Sequence, residues 1–344
     1  MIQFYLGLLL FSFICTSVLV VPFINILYHL KFQRQKQKTL DFQNKRTPIF
    51  DKYHAIKAGT PVGGGLLIIV SVTVLFTILF FILQQSNIFI SHNFQIQREV
   101  EAIFFTFISF GLLGLYDDAL KFFNFEKSGF FGLRMKHKLL LQFVIAGIVS
   151  AHIYFRLGIN FVYLPFLGPV SLGLFSIPIF TTIIVGFANF FNITDGLDGL
   201  SCGTLMISLF AFWVLSSNQL DTPISLFLAL WIGALIAFLY FNVYPARIWL
   251  GDVGSMSFGA TFALIAILLG KLIPLLVVGF IFIIEGLSSA IQIFSKLYLH
   301  RKIFPAAPIH LTLQRNGWEE PKIVFRAWLA GFILAILGLW LGLN

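Results

Sequence analysis

Ten apolar runs, each near the roughly 20 residues that a helix needs to cross a bilayer, recur along the whole chain. They lie at about 4–27, 64–84, 101–116, 139–156, 172–191, 200–217, 223–241, 256–271, 273–294 and 323–342. A chain divided in this way has few ways to fold. In lipid, every backbone N–H and C=O must be satisfied inside its own segment or around a closed barrel, and runs this continuous satisfy themselves as helices. Composition agrees: mean hydropathy is +0.93 and 11% of residues are charged, against about 25% in soluble domains. The expectation is an all-α polytopic membrane protein of about ten transmembrane helices, a single domain over 1–344. The longest polar stretch, 31–61, is too short to bury a core of its own. The first run has neither a basic lead nor a small-residue cleavage site, so it reads as a retained span. Cys15 and Cys202 lie in apolar segments and give no disulfide framework. No internal repeat points to an inverted-repeat transporter.

Lysine and arginine in short loops mark the cytoplasmic side. Nineteen of the 23 fall in loops after odd-numbered runs, while only Arg98, Arg156 and Lys271 fall on the other side and Arg326 lies within the last run. Both termini are therefore expected outside, with the odd loops in the cytoplasm. Topology and attraction to anionic lipid headgroups suffice to explain the net charge of +9. The acidic residues carry more information.

Asp117 and Asp118 end the third run in "GLYDDALKFF"; Asp195 and Asp198 occupy the turn "NITDGLDG"; Asp252 precedes the eighth run in "LGDVGS". All five fall at the same predicted face. Any one of them is an ordinary interfacial residue, because a carboxylate at a span end stays hydrated. Five together, with glycine neighbours, are harder to treat that way. Lys121 lies one helical turn beyond Asp117 and Asp118, so a carboxylate and an ammonium face one site. Clustered carboxylate oxygens suit a hard cation such as Mg²⁺, usually held by one or two carboxylates plus substrate phosphates. Histidine and cysteine ligands are missing from these stretches, which disfavours zinc. Lys57 and Lys121 offer point charges to phosphate. "KAGTPVGGG", residues 57–65, reads by itself as helix initiation, and His310 by itself as a satisfied loop histidine.

Taken together these stretches resemble the polyprenyl-phosphate N-acetylhexosamine-1-phosphate transferases, and within them the muramoyl-pentapeptide branch. The family's Asp-Asp-x-x-Lys appears as Asp117, Asp118 and Lys121. Its Asn-x-x-Asp-Gly-x-Asp-Gly appears as Asn192, Asp195, Gly196, Asp198 and Gly199, and its Gly-Asp-x-Gly-Ser as Gly251, Asp252, Gly254 and Ser255, with Asn242, Pro245 and Ala246 upstream. "KAGTPVGGG" resembles Lys-x-Gly-Thr-Pro-Thr-Met-Gly-Gly, with Val62 and Gly63 replacing the second Thr and the Met. "APIHLTLQRNGWEE" resembles a stretch with three consecutive histidines, of which only His310 remains, followed by Leu311 and Thr312.

The resemblance implies transfer of phospho-N-acetylmuramoyl-pentapeptide from a UDP-activated donor to undecaprenyl phosphate, giving lipid I and UMP in peptidoglycan synthesis. It implies Mg²⁺ on Asp252 and Asp118, catalytic roles for Asp117, Asp118, Asp252 and His310, and phosphate contact by Lys121. Lys57, Asn192, Asp195, Asp198 and Asn242 would line the nucleoside side, and Trp249, otherwise an interfacial anchor, would stack on uracil. The setting would be the bacterial cytoplasmic membrane, with membrane lipids as partners and no nucleic acid; homodimerisation stays open. The Phe-rich loop 121–138 reads first as an interfacial segment and second as a guide for the prenyl chain. Two other readings compete. One is the sibling branch that uses UDP-N-acetylglucosamine. The other is a cation channel or transporter, whose carboxylates would be expected near mid-membrane rather than at one face.

Overall fold

A computed structural model describes residues 2–34, 57–85, 92–123, 132–164 and 167–343. In chain order the elements are α1 (Ile2–His29), α2 (Gly64–Gln85), α3 (Ile96–Phe123), α4 (Met135–Leu157), β1 (Phe161–Leu164), β2 (Gly168–Ser171), α5 (Ser176–Thr194), α6 (Leu200–Asn218), α7 (Thr222–Asn242), α8 (Gly251–Leu268), α9 (Leu272–Val278), α10 (Phe280–Tyr298), α11 (Ile309–Arg315) and α12 (Glu320–Leu343). Ten of them, α1–α8, α10 and α12, are long and apolar enough to cross a membrane. This matches the ten runs one for one, with three differences of extent. Helix α3 continues through Asp117, Asp118 and Lys121, and α8 begins at Gly251, so all these groups sit on helix ends rather than in loops. The ninth run divides at Gly279, whose bare Cα packs against Phe187 of α5; a Cβ there would lie 2.6 Å from that ring. The fold is also not wholly helical: β1 and β2 form an antiparallel hairpin, pairing Phe161 with Ser171.

Helices α7 and α8 form the centre, with 83% and 89% of their membrane-spanning windows buried. Both are apolar all round, as interior helices must be. Asp221 starts α7 by accepting the Ile224 N–H at 3.1 Å, with Pro223 in the first turn. Around this pair α1 packs on α7, α3 and α5 pack on α8, and α12 packs on α6. Lipid gives apolar helices no hydrophobic reason to associate, so packing and close backbone approach must hold them. Phe107, Trp231 and Phe258 interlock from α3, α7 and α8, with ring centroids 5.2–5.8 Å apart. At the working end, Gly65 of α2 lies flat against Gly254 of α8; a Cβ on Gly65 would fall 2.2 Å from the Gly254 Cα. The glycines of "VGGG" and "GDVGS" are thus spent largely on helix contact. Large apolar side chains face outward instead, such as Val18, Phe155 and Ile333, each about two-thirds exposed, a surface suited to lipid.

Candidate active site

The ends of α3, α4 and α8 bring three carboxylates and two ammonium groups together. Lys121 Nζ lies 3.0 Å from Asp117 Oδ2 and 2.8 Å from Asp252 Oδ2. Lys138, in the first turn of α4, spans the same two carboxylates at 3.1 and 2.6 Å. Asp117 Oδ1 also accepts the Leu133 N–H at 2.6 Å. Asp118 is turned the other way, and its Oδ2 accepts the Val253 N–H at 3.1 Å. It thereby satisfies one of the orphan donors at the start of α8 and meets the positive end of that helix. Asn192 donates to Asp252 Oδ1 at 3.1 Å and to Ser255 Oγ at 2.6 Å, fixing the Asp252 carboxylate from the α5 side. Charges this withdrawn from water are tolerable because opposite signs alternate and nearly every lone pair is engaged.

These residues fit a divalent cation shared with substrate. The donors are carboxylate oxygens of Asp118 and Asp252, the hard set that Mg²⁺ prefers. The remaining Asp118 oxygen is 3.7 Å from Lys121 Nζ, beyond hydrogen-bond distance. Asp117, Asp118 and Asp252 lie close together, but among the described residues no three acidic, His or Cys side chains are placed to enclose a metal ion. A cation here would take part of its coordination from a bound phosphate.

A second cluster is built from turns. Lys57 Nζ lies 2.7 Å from Asp198 Oδ1 and also pairs with Glu320, the first residue of α12. Asp198 Oδ2 accepts the Ala246 N–H at 3.0 Å, and Glu320 accepts the Asp198 N–H at 2.6 Å. The Arg34 guanidinium carbon and Lys57 Nζ lie over the Trp249 ring, 4.5 and 5.0 Å from its centroid. A base stacking on Trp249 would therefore share the ring with those cations or displace one. Asn242 is committed to backbone: it accepts the Gly199 N–H at 3.2 Å and donates to the Ile248 carbonyl at 3.0 Å. It braces the loop rather than presenting a free amide. Asp195 is half-buried and accepts the Ser201 hydroxyl. Burial pushes its carboxyl up to about 7, with the Ser201 bond opposing and Asp252 and Asp198 reinforcing the rise.

His310 sits in the first turn of α11, 1% exposed, with Nδ1 2.9 Å from Glu285 Oε2 of α10. Its other edge reaches the turn that carries Asp195 and Asp198, where a Cβ on Gly196 would fall 2.5 Å from Nε2. The two residues that follow it have other tasks. Leu311 is buried, and the Thr312 hydroxyl donates to the Ala306 carbonyl. Among the described residues, His310 is the histidine that reaches this turn.

All eleven expected residues thus gather at one end of the bundle, in two clusters joined by the end of α5 and the 195–199 turn that follows it. Comparison with known proteins adds the lineage. The glycosyl transferase family 4 model matches residues 100–270. The chain is 35% identical to the phospho-N-acetylmuramoyl-pentapeptide-transferase of Staphylococcus epidermidis over 298 residues, 85% of this chain and 88% of that protein. Against the protein of that name from Halalkalibacterium halodurans, identity is 33% over 341 residues, covering 97% and 96% of the two chains. The chain belongs to the phospho-N-acetylmuramoyl-pentapeptide-transferase family.

Four residues of this family member escape a reading of sequence alone as site residues: Lys138, Arg34, Glu320 and Glu285. Lys138 and Arg34 look like topology charges, and Glu320 like part of a motif with no role of its own. Glu285 did carry a signal, since an acid inside an apolar run is a site candidate by default. Residues 35–56 of the basic loop 31–61 and residues 124–131 of the Phe-rich loop 121–138 lie outside the described residues.

Proposed function

We propose that this chain transfers phospho-N-acetylmuramoyl-pentapeptide from its UDP donor to undecaprenyl phosphate, forming lipid I and UMP. The observation that carries this reading is the pairing of the two clusters: a lysine–carboxylate centre at the bilayer edge and a turn-built pocket beside it, linked by Asn192, Asp195 and Asp198. A lipid phosphate is confined to the membrane surface, so the reacting groups belong at span ends. The diphosphate P–O bond between the uridylyl and sugar phosphates breaks. A new bond joins an acceptor phosphate oxygen to the sugar phosphate's phosphorus. Such chemistry is mostly positioning and charge neutralisation.

Asp252 and Asp118 would hold Mg²⁺, which supplies charge neutralisation at the diphosphate. The chain's own groups do the rest. Lys121 and Lys138, held between Asp117 and Asp252, meet phosphate oxygens as point charges. Asp117, anchored by the Leu133 N–H, faces the same spot and takes the acceptor's proton. Lys57, Asp198 and Trp249 hold the nucleoside end. The basic bias supports a cytoplasmic position for this face with both termini outside, and the proposed reaction belongs to the bacterial inner membrane.

The test is mass spectrometry of the lipid product made by purified protein from undecaprenyl phosphate and each UDP-sugar. A diphosphate-linked muramoyl-pentapeptide lipid with release of UMP is expected. A product from UDP-N-acetylglucosamine alone, or none, overturns the reading.

A further inference from the structure

Glu285 is a carboxylate inside a membrane-crossing helix, 5% exposed. A buried acid there demands a partner, and its partner is His310. Glu285 Oε2 lies 2.9 Å from His310 Nδ1 and 3.4 Å from the His310 backbone nitrogen, so one oxygen addresses both the ring and the start of α11. A carboxylate only accepts, so the proton of the neutral ring stands on Nδ1 and the lone pair on Nε2. Nε2 points at Gly196 and, among the described residues, has no hydrogen-bond partner. Glycine at 196 lets the ring approach the turn this closely, since a Cβ there would fall 2.5 Å from Nε2.

We propose that Glu285 is a positioning residue for His310, fixing the imidazole so that Nε2 is the atom that meets the diphosphate of the donor at the Gly196 turn. The inference rests on the transferase reading above. When a phosphate oxygen arrives, Nε2 takes up a proton from bulk water, the resulting imidazolium donates Nε2–H to that oxygen, and Glu285 supplies the counter-charge at Nδ1. With Leu311 buried and Thr312 bonded to Ala306, no neighbour on α11 can substitute. A carboxylate behind a histidine orients it and supports its charged form in many sites.

The experiment is a double-mutant cycle on purified protein, joined to ¹⁵N-histidine NMR without substrate. His310→Ala should lower kcat/KM about a hundredfold, the range of a positioned polar group. Glu285→Ala should lower it about tenfold. Glu285→Gln should lose only about threefold, because the amide oxygen still accepts from Nδ1–H. In the His310→Ala background, Glu285→Ala should cost nothing more, since it acts only through the ring. The spectrum should show the Nδ1–H tautomer at His310, identified by its loss in His310→Ala, turning to a mixture in Glu285→Ala. Additive losses, or a tautomer that ignores Glu285, overturn the inference. Wild-type protein that forms no lipid-linked product overturns the transferase reading instead, and the spectrum is read independently of that outcome.

Discussion

The two clusters of the site are built from different material. Among the described residues, the charged groups paired around Asp252 stand on helix ends: Asp117, Asp118 and Lys121 on α3, Lys138 on α4, Asp252 on α8. Around Asp198 the groups come from turns before α2, between α5 and α6, and between α7 and α8, with only Glu320 opening a helix. Helix ends packed into the bundle hold charges in one arrangement, which suits groups that must face a transition state with no reorganisation. Turns yield more readily, which suits a pocket that must admit a nucleotide and release it. On the proposed reading, damage to the first cluster falls on the chemical step and damage to the second on substrate affinity.

The largest effect is therefore expected at Asp252. Its carboxylate receives both lysines and Asn192. Asp252→Asn keeps the shape and removes the charge. A loss of about 4 kcal/mol of transition-state stabilisation would slow turnover roughly a thousandfold. UMP release should stop in chelator and return with Mg²⁺ or Mn²⁺. More than about a tenth of wild-type turnover in Asp252→Asn at saturating Mg²⁺ would break the assignment of the first cluster to chemistry.

A smaller effect of another kind is expected at Asp198. Asp198→Asn removes the anionic partner of Lys57 but leaves Glu320 in place. The KM for the UDP donor should rise about tenfold, near 1.4 kcal/mol of binding, with kcat within about threefold. Uniform loss of binding raises KM alone. A fall in kcat as large as that of Asp252→Asn would erase the distinction between the clusters.

This division could not be read from the sequence, although its parts could. The ten spans were legible because crossing a bilayer imposes a length and a composition on each. The aspartates were legible because acids are rare in so apolar a chain, and their glycine-flanked spacing matched a family pattern. What stayed hidden depends on distant contacts. Lys138 is 114 residues from Asp252 and resembles any other loop lysine. Glu320 meets Lys57 across 263 residues. Asn242 sits in a family motif, yet only its bonds to Gly199 and Ile248 show a brace. The glycines of "VGGG" and "GDVGS" invite a ligand-binding interpretation, whereas Gly65 and Gly254 press two helices together. The fate of Leu311 and Thr312 likewise depended on which way α11 faced.

The smallest expected effect sharpens the comparison from its junction. Asp195 lies in the turn that joins the clusters, and burial raises its carboxyl to about 7. An unfolded aspartate titrates near 3.9, so between about pH 4 and pH 7 the folded protein holds a proton that the unfolded chain has released. Folding stability from this group therefore falls as pH rises through that window and levels off above about pH 7. Asn does not titrate, and its amide oxygen still accepts the Ser201 hydroxyl. The melting temperature of Asp195→Asn minus that of wild type should consequently grow between pH 5 and pH 8. The residue keeps some water, so the effect is discounted to about 1 kcal/mol, or a rise of about 2–4 °C. Thermal unfolding of the two proteins in one detergent, at four pH values, measures it. A flat difference would mean that Asp195 stays ionised through the range, and that the turn between the clusters carries a full negative charge when the donor arrives.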